Sequence, residues 1–447
     1  MRSAQLFTTN TNAAAAITRR VVRRRLWQNN SSRSCRAVSS TTPLFQPSAA
    51  ACETDNASSY APRRPIYVSA TRQHVGKTST CVALVSGLMK RFDKVGFMKP
   101  VGQKFLTVTD EDGNELNVDK DAVLVKEHFG LDHVRYADIN PVLIPKGYTR
   151  DYLDGKITLD QQKQNLSRAY HRVMEESDVL LCEGTGHCAV GSVVEASNAQ
   201  VASWLNARMV LVVNGGLGKA WDELEMNKVF CDKFGVDIAG VIVNRVVPEK
   251  YEQVKHYLGR ALQERWGVPL IGLVPDRPYL GCPAIADLEL LFEGSNLVSG
   301  KQYRMRHYTV QELQLVATSL EVFLRNLRRD PERTLYVCHA SRNDILLGFL
   351  MESQQRGPGW EAAMIVTGYT DYPISRQVMD IVMSMENAPP VLMVPKQTHQ
   401  VMEDIHKFTP KLNYQDEGRV SVAVKHYEPY IDFSLLLQED GEAATAP

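Results

Sequence analysis

Short runs of apolar residues alternate with stretches of helical apolar spacing through the first two thirds of the chain. The runs predict strands at 66–68, 94–101, 178–183, 209–214, 239–244 and 270–274. The helical spacing predicts helices at 81–89, 119–129, 158–177, 197–206, 221–234 and 249–265. Nearly continuous apolar runs are typical of parallel strands covered on both faces, and regular strand–helix alternation builds such a sheet. We therefore predict an α/β fold whose parallel sheet carries helices on both faces.

This alternation of predicted strands and helices stops after residue 275, where prolines and glycines become frequent, and it resumes beyond residue 308. The later part predicts helices at 309–327, 343–352, 375–385 and 398–407, and strands at 334–338, 362–366 and 391–394. Residues 108–118 are rich in turn formers and predict an exposed loop. The predicted organisation is a first domain at 65–275, a linker at 276–308, a second smaller α/β domain at 309–435 and a disordered tail at 436–447.

The first 64 residues differ in composition from the rest. They hold ten arginines, no lysine and two acidic residues, so they carry a net charge of +8 and leave 41 basic and 49 acidic residues for the remainder. An arginine-rich, serine-rich, acid-poor amphipathic leader is typical of a transit peptide to the mitochondrion or plastid. We predict a mitochondrial matrix protein; the alternative is a basic tail that stays attached.

Composition narrows the class of protein further. The mildly acidic body argues against nucleic acid as the main partner, and no apolar run approaches the length needed to span a bilayer. The eight cysteines are scattered without a C-x-x-C pair, so we expect free thiols. Cys182 and Cys188 flank a glycine turn and could bind a metal, but we favour the interpretation that they are buried packing thiols.

The turn between the first predicted strand and helix has the composition of a phosphate loop. Thr71 to Thr78 match G-x-x-x-x-G-K-[ST], with Thr71 in place of the first glycine. In such a turn the backbone N–H groups and the helix N-terminus attract phosphate, the lysine reaches the outer phosphates, and the hydroxyl holds Mg²⁺. The predicted phosphate-binding residues are Val75, Gly76, Lys77, Thr78 and Ser79.

Three further charged residues follow predicted strands or open a helix near this turn. Glu183 ends one strand and Asp121 lies at a helix start, so both could complete a Mg²⁺ site with Thr78. Lys99 leaves the second strand, where it could neutralise a transferring phosphoryl group or hold a substrate carboxylate. Each also has a simpler interpretation: Glu183 as an exposed strand end, Asp121 as a helix cap, and Lys99 as a surface lysine.

These segments resemble dethiobiotin synthetase. The turn resembles that family's Gly-Thr-x-x-x-Val-Gly-Lys-Thr, with Ala70 in place of its glycine; Lys99-Pro-Val, Asp121-Ala and Glu183-Gly-x-Gly resemble its other elements. The resemblance implies ATP and Mg²⁺ as ligands, contact of Lys99 with substrate, and contact of Asn244 with adenine, whose edge suits an amide. Asn244 could instead cap a turn.

The second predicted domain resembles the DRTGG domain through Ser341-Arg-Asn-Asp and Val366-Thr-Gly-Tyr, each after a strand. In bacterial phosphate acetyltransferases that domain follows a dethiobiotin-synthetase-like domain, in the order found here. The chain stops before the catalytic domain of those enzymes, so transacetylation is not expected.

Two functions remain open from the sequence. One is an ATP-dependent enzyme that activates a small carboxylate or carbamate for attack by an amine, with Lys77 and Lys99 as catalytic residues. The other is a nucleotide-sensing regulatory protein without catalysis. Arg72 precedes Lys77 by the spacing of the signature lysine in phosphate-loop ATPases that dimerise across nucleotide. It is therefore either a finger reaching into the site of a homodimer or a solvated loop charge.

Overall fold

Apolar strands and amphipathic helices build two sheets, as described by a computed structural model of residues 63–330, 333–357 and 359–438. The first sheet is wholly parallel, with strand order β10-β9-β8-β1-β7-β2. Its strands are β1 (Ile66–Ala70), β2 (Val95–Met98), β7 (Val179–His187), β8 (Arg208–Asn214), β9 (Ile238–Val246) and β10 (Leu270–Pro275). The phosphate-loop candidate follows β1 and therefore lies at the centre of the sheet.

Nine helices lie in the described part of the chain before residue 292; the first eight contribute to the core of this sheet, whereas Ile285 and Leu288 of the ninth lie in a separate core with residues of the second sheet. The nine helices are α1 (Lys77–Met89), α2 (Lys120–Phe129), α3 (Tyr136–Ile139), α4 (Tyr148–Leu153), α5 (Leu159–Glu175), α6 (Asn198–Trp204), α7 (Gly218–Lys233), α8 (Tyr251–Trp266) and α9 (Ile285–Leu291). Two small two-stranded sheets are formed by residues between β2 and β7 of the chain. In one, β3 (Val101–Gly102) pairs with β6 (Val142–Leu143), and in the other, β4 (Phe105–Thr109) pairs with β5 (Glu115–Asp119). The loop predicted at 108–118 is thus wrong, because its exposed residues pair as the hairpin β4–β5.

The second sheet has strand order β11-β15-β14-β13-β12, parallel except for the antiparallel edge strand β11. Its strands are β11 (Asn296–Ser299), β12 (Thr309–Leu315), β13 (Thr334–His339), β14 (Ala363–Thr367) and β15 (Val391–Val394). The remaining helices are α10 (Leu320–Leu327), α11 (Asn343–Arg356), α12 (Arg376–Ser384), α13 (Thr398–Lys407), α14 (Glu417–Tyr427) and α15 (Phe433–Leu437). The helix predicted at 309–327 is wrong in its first half, which forms the edge strand β12. The α/β prediction for both domains is confirmed.

Residues 409–438, called the C-terminal arm below, return from the second sheet to the first. The buried apolar side chains of the arm join the core of the first domain, and α14 packs against α1. Phe433 lies under α1, because a Cβ placed on Gly87 would come within 1.9 Å of the Phe433 ring. Residues 276–308, assigned to a linker from the sequence, contain α9 and β11.

Other expectations fall partly or wholly outside the described residues. The predicted leader is described only at Arg63 and Arg64, and the predicted tail only up to Gln438. Across the described ranges, no helix is both long enough and apolar enough to cross a membrane. The six cysteines in those ranges form no disulfide bond.

Candidate nucleotide-binding site

The phosphate-loop candidate is a tight turn that ends at the N-terminus of α1. Gly76 has φ 91°, which favours glycine, and a Cβ there would lie 2.2 Å from Nδ2 of Asn244. α1 has no side-chain cap at its start and no acidic residue in its first turn. Its first N–H groups therefore remain available, and together with the helix dipole they suit an anion such as phosphate.

Glu183 lies beside this turn because the register of the sheet pairs it with Val68 of β1. The Glu183 side chain is fully buried, and its Oε1 lies 3.0 Å from Nζ of Lys77 and accepts a 3.0 Å hydrogen bond from Oγ1 of Thr78. Its Oε2 is buried without a hydrogen-bond partner among the described residues. An unpartnered buried carboxylate oxygen next to a threonine hydroxyl fits a hard cation such as Mg²⁺.

No group of three or more His, Cys, Asp or Glu side chains arranged to hold a metal occurs in the described ranges. Mg²⁺ in proteins is usually held by one or two carboxylates together with water and substrate phosphates rather than by a cage of protein ligands. The Glu183 carboxylate and the Thr78 hydroxyl are groups of the kind that such a site uses.

Lys99 follows β2, next to Glu183, and is buried among carboxylates. Its Nζ pairs with Asp121 and lies 3.2 Å from Asp119 and 3.7 Å from Glu183. Burial alone would lower the pKa of Lys99, but these carboxylates outweigh burial and hold that pKa well above its usual value. Burial opposes ionisation of Asp121, but Lys99 and neighbouring lysines keep its pKa well below the usual range. Both groups are therefore charged at neutral pH.

Asp119 is a site residue that the sequence analysis did not identify. It caps α2 by accepting a 3.0 Å hydrogen bond from the Asp121 backbone, and its second oxygen accepts from the backbone of Gln103 and Lys104. The signal was present, because an aspartate two residues before Asp121 is a preferred N-cap. Asp119 fixes the position of the carboxylate to which Lys99 binds.

These residues line a cavity of about 490 Å³. Its walls come from the loop after β1, the starts of β4 and α2, the ends of β9 and β10, and the C-terminal arm. The predicted site residues that line it are Val75, Gly76, Lys77, Thr78, Ser79, Lys99, Asp121 and Asn244. Glu183 lies behind this wall and contacts it through Lys77 and Thr78.

Comparison with known proteins finds relatives for both domains. The AAA domain family matches residues 64–284, and the DRTGG domain family matches residues 293–408. The phosphate acetyltransferase of Synechocystis sp. is 21% identical over 383 residues, which are 83% of this chain and 51% of that protein. The ATP-dependent dethiobiotin synthetase BioD of Methanococcus vannielii is 25% identical over 216 residues, which are 47% of this chain and 93% of that protein.

A dethiobiotin-synthetase-like phosphate-loop domain is followed here by a DRTGG domain. This confirms both resemblances noted in the sequence. The chain spans about half the length of the phosphate acetyltransferases that it matches. Among solved structures, the MinC:MinD cell division protein complex of Aquifex aeolicus aligns with a TM-score of 0.31 and 14% identity, over 49% of this chain and 83% of that one.

Asn244 of the phosphate-loop domain stabilises the phosphate loop through hydrogen bonds of its side-chain amide. Its Nδ2 donates to the Val75 carbonyl at 2.7 Å, and its Oδ1 accepts from the Arg245 backbone at 2.8 Å. Asn244 is buried and lines the cavity, and these two hydrogen bonds give both polar atoms of its amide a partner within the chain. Contact of Asn244 with adenine stays a prediction.

Two other charged residues of this domain have local explanations. Arg72 lines the cavity and lies 3.2 Å from Glu223 of the same chain, which also accepts a hydrogen bond from Thr71. Lys219 follows Gly218 at the start of α7 and does not line the cavity. Its glycine–lysine pair resembles a phosphate loop only in composition.

The C-terminal arm, which lies outside both family matches, contributes a wall that the sequence analysis did not anticipate. Tyr427 is buried against the phosphate loop, and its hydroxyl lies beside Asn244 and Ser79, 3.1 Å from the position that a Cβ on Gly76 would take. His426 and Lys411 also line the cavity. The apolar residues Val420, Ala423 and Tyr427 have the i, i+3, i+7 spacing of a packed helix face, which was the available signal.

Proposed function

We propose that the chain binds ATP with Mg²⁺ at this cavity. The observation that carries the proposal is the unpartnered buried Oε2 of Glu183, which lies beside the Thr78 hydroxyl and an uncapped helix N-terminus. Lys77 and the loop N–H groups would bind the outer phosphates, while Thr78, Asp121 and Glu183 would hold the metal. When bound, Mg²⁺ neutralises phosphate charge. The ATP-dependent dethiobiotin synthetase among the relatives supports the same ligand.

We further propose that the bound nucleotide phosphorylates a carboxylate or carbamate. An acceptor oxygen attacks the γ-phosphorus, the bond from phosphorus to the β–γ bridging oxygen breaks, and ADP leaves. An amine then attacks the acyl carbon and loses a proton as inorganic phosphate departs. Lys99 supports this chemistry, because a lysine next to Glu183, the carboxylate that Lys77 also contacts, can orient the acceptor carboxylate and offset its charge.

A nucleotide sensor is the second candidate, favoured by the contact of the C-terminal arm with the phosphate loop. Asp416 of the arm lies 2.6 Å from His307, and buried Arg419 lies 3.3 Å from Asp287, so one end of α14 is tied to the segment that leads into the second sheet. The other end of α14 places Tyr427 on the loop. A nucleotide that shifts the loop would therefore act on a helix anchored near the second domain.

Calorimetry on the full chain tests nucleotide binding. We expect ATP to bind, and Mg²⁺ to tighten that binding at least tenfold. Thr78→Val should abolish the effect of Mg²⁺ because it removes only the hydroxyl, whereas Thr78→Ser should retain it. Absence of heat with adenine and guanine triphosphates would overturn the proposal.

ADP release separates the two candidates. If the chain is an enzyme, ADP release should depend on an acceptor compound. A screen of diamino acids, carboxylates and bicarbonate would identify that compound. The sensor predicts tight binding of ATP with no turnover in any of these mixtures.

Tyr427→Phe tests whether the arm supports the nucleotide site. Loss of the hydroxyl removes its contacts with Asn244 and Ser79, so we expect the affinity for ATP to fall about fivefold while the free energy of unfolding falls by about 1 kcal/mol. Calorimetry and urea unfolding measure the two effects. Tyr430→Phe, at a half-exposed tyrosine near the same arm's end, is the control and should change neither quantity. Unchanged ATP affinity in Tyr427→Phe would separate the arm from the site.

A further inference from the structure

Three lysines from separate segments line the cavity: Lys104, Lys120 and Lys411. Lys411 lies near enough to the other two for their charges to repel its own. The backbone fixes the first two side by side, because the Lys120 N–H donates to the Lys104 carbonyl at 2.8 Å at the base of the β4–β5 hairpin. The carbonyl of Lys411 accepts a 3.3 Å hydrogen bond from buried Arg419, which holds this part of the arm in place. The lysine cluster is therefore built on a fixed framework.

The positive charge of the lysine cluster is poorly compensated. Among the described residues, no carboxylate lies within ion-pair distance of Lys104 or Lys411, and Lys120 reaches only Asp121, at 3.7 Å. Asp121 and Asp119 already bind Lys99. Burial and repulsion from neighbouring lysines lower the pKa of Lys411, although Asp121 opposes the shift. Cations that repel one another at the wall of an open cavity attract an anion.

The remaining positions in the site are already assigned. In the proposed function, Lys77 and the loop N–H groups bind the nucleotide phosphates, and Lys99 binds the reacting carboxylate of the acceptor. The lysine cluster lies beyond Lys99, across Asp121, on the side of α2 and the β4–β5 hairpin. A compound that fills both positions needs a second negative group.

We propose that Lys104, Lys120 and Lys411 form a subsite for a second anionic group, so that the acceptor is a small organic compound with two anionic groups, called a dianion here whatever the charge of each group. This inference rests on the proposed function for the reacting carboxylate. The second group is a carboxylate or a phosphate monoester, since both present oxygen acceptors with full charge to lysine. Because Lys411 belongs to the arm, a segment outside both family matches contributes to acceptor choice.

Calorimetry with defined anions tests the subsite at constant ionic strength. The titrations use acetate, glutarate and phosphoglycolate with the full chain carrying Lys77→Ala, so that the phosphate loop does not compete and no nucleotide is required. We expect at least one dianion to bind, and acetate to bind at least tenfold more weakly. In that background, Lys104→Ala combined with Lys411→Ala should weaken dianion binding at least tenfold.

Lys255→Ala is the matched control, because this exposed lysine of α8 does not line the cavity. Lys104→Arg combined with Lys411→Arg keeps the charge and should retain binding. Preference for glutarate identifies a dicarboxylate, and preference for phosphoglycolate identifies a phosphate monoester. The subsite is refuted if neither dianion binds, if acetate binds equally, or if the double alanine variant binds like Lys255→Ala. Since nucleotide is absent, these outcomes are independent of whether the chain binds ATP.

Discussion

Lys77→Ala should lower the affinity for ATP at least a hundredfold, equivalent to about 2.7 kcal/mol, and abolish any acceptor-dependent ADP release. Lys77 is the first residue of α1 and combines a charged side chain with a backbone position at the anion-attracting helix end. Its Nζ lies 3.0 Å from buried Glu183, so it already lies next to the carboxylate expected to hold the metal. Calorimetry and an ADP release assay measure the two losses.

Lys219→Ala supplies the control for this experiment. Lys219 also follows a glycine at the start of a helix, but it does not line the cavity. We expect the ATP affinity of this variant to equal that of the unmodified chain. Equal losses in the two variants would indicate a general effect of lysine removal and would contradict the assignment of the site. Thermal unfolding checks that Lys77→Ala remains folded when Lys99 is the one lysine left within ion-pair distance of Glu183.

The sequence predicts the first sheet well because its strands carry signals that survive without tertiary context. β7 and β8 are nearly continuous apolar runs, as expected for strands covered on both faces. β12 shows the opposite case. It forms the edge of the second sheet, and its mixed polar and apolar residues carry no clear strand period, so the helix that follows dominated the prediction.

The candidate site was predictable where local chemistry and sheet topology act together. Lys77 and Thr78 follow from the turn motif, and Lys99 and Glu183 follow from the rule that ligands gather at the carboxyl ends of parallel strands. The apolar face of residues 420–427 indicates a packed helix, but no local pattern indicates that a segment beyond the second sheet returns to the first. Tyr427 and Lys411 were therefore not predictable as residues of this site. Their positions depend on packing between residues more than three hundred positions apart in sequence, such as Gly87 and Phe433.

The charges around Lys99 explain why this site needs a compensating cation. Asp121 and Asp119 are both buried and face one lysine, and Glu183 lies 3.7 Å from the same Nζ. Removing one partner of a buried ion pair leaves an uncompensated charge in a medium that solvates it poorly. The lysine is therefore expected to contribute to folding as well as to acceptor binding.

Lys99→Met should lower the free energy of unfolding by about 3–5 kcal/mol, because methionine keeps most of the volume and removes the charge. Urea unfolding measures this loss. Asp121→Asn in the Lys99→Met background should recover part of the stability by removing the carboxylate that lost its partner, so the two substitutions should not add. Mg²⁺ should stabilise Lys99→Met more than the unmodified chain, since its carboxylates then lack the competing ammonium group.

Lys94→Met is the control at the opposite end of β2. Lys94 forms an exposed ion pair with Glu176 at 3.1 Å, and exposed pairs contribute little to stability because water screens them. A large loss in Lys99→Met with little change in Lys94→Met would place the effect in the buried carboxylate cluster. Similar small losses in both variants would mean that water reaches Asp119 and Asp121 freely, and Lys99 would then have no special role in holding the acceptor side of the site together.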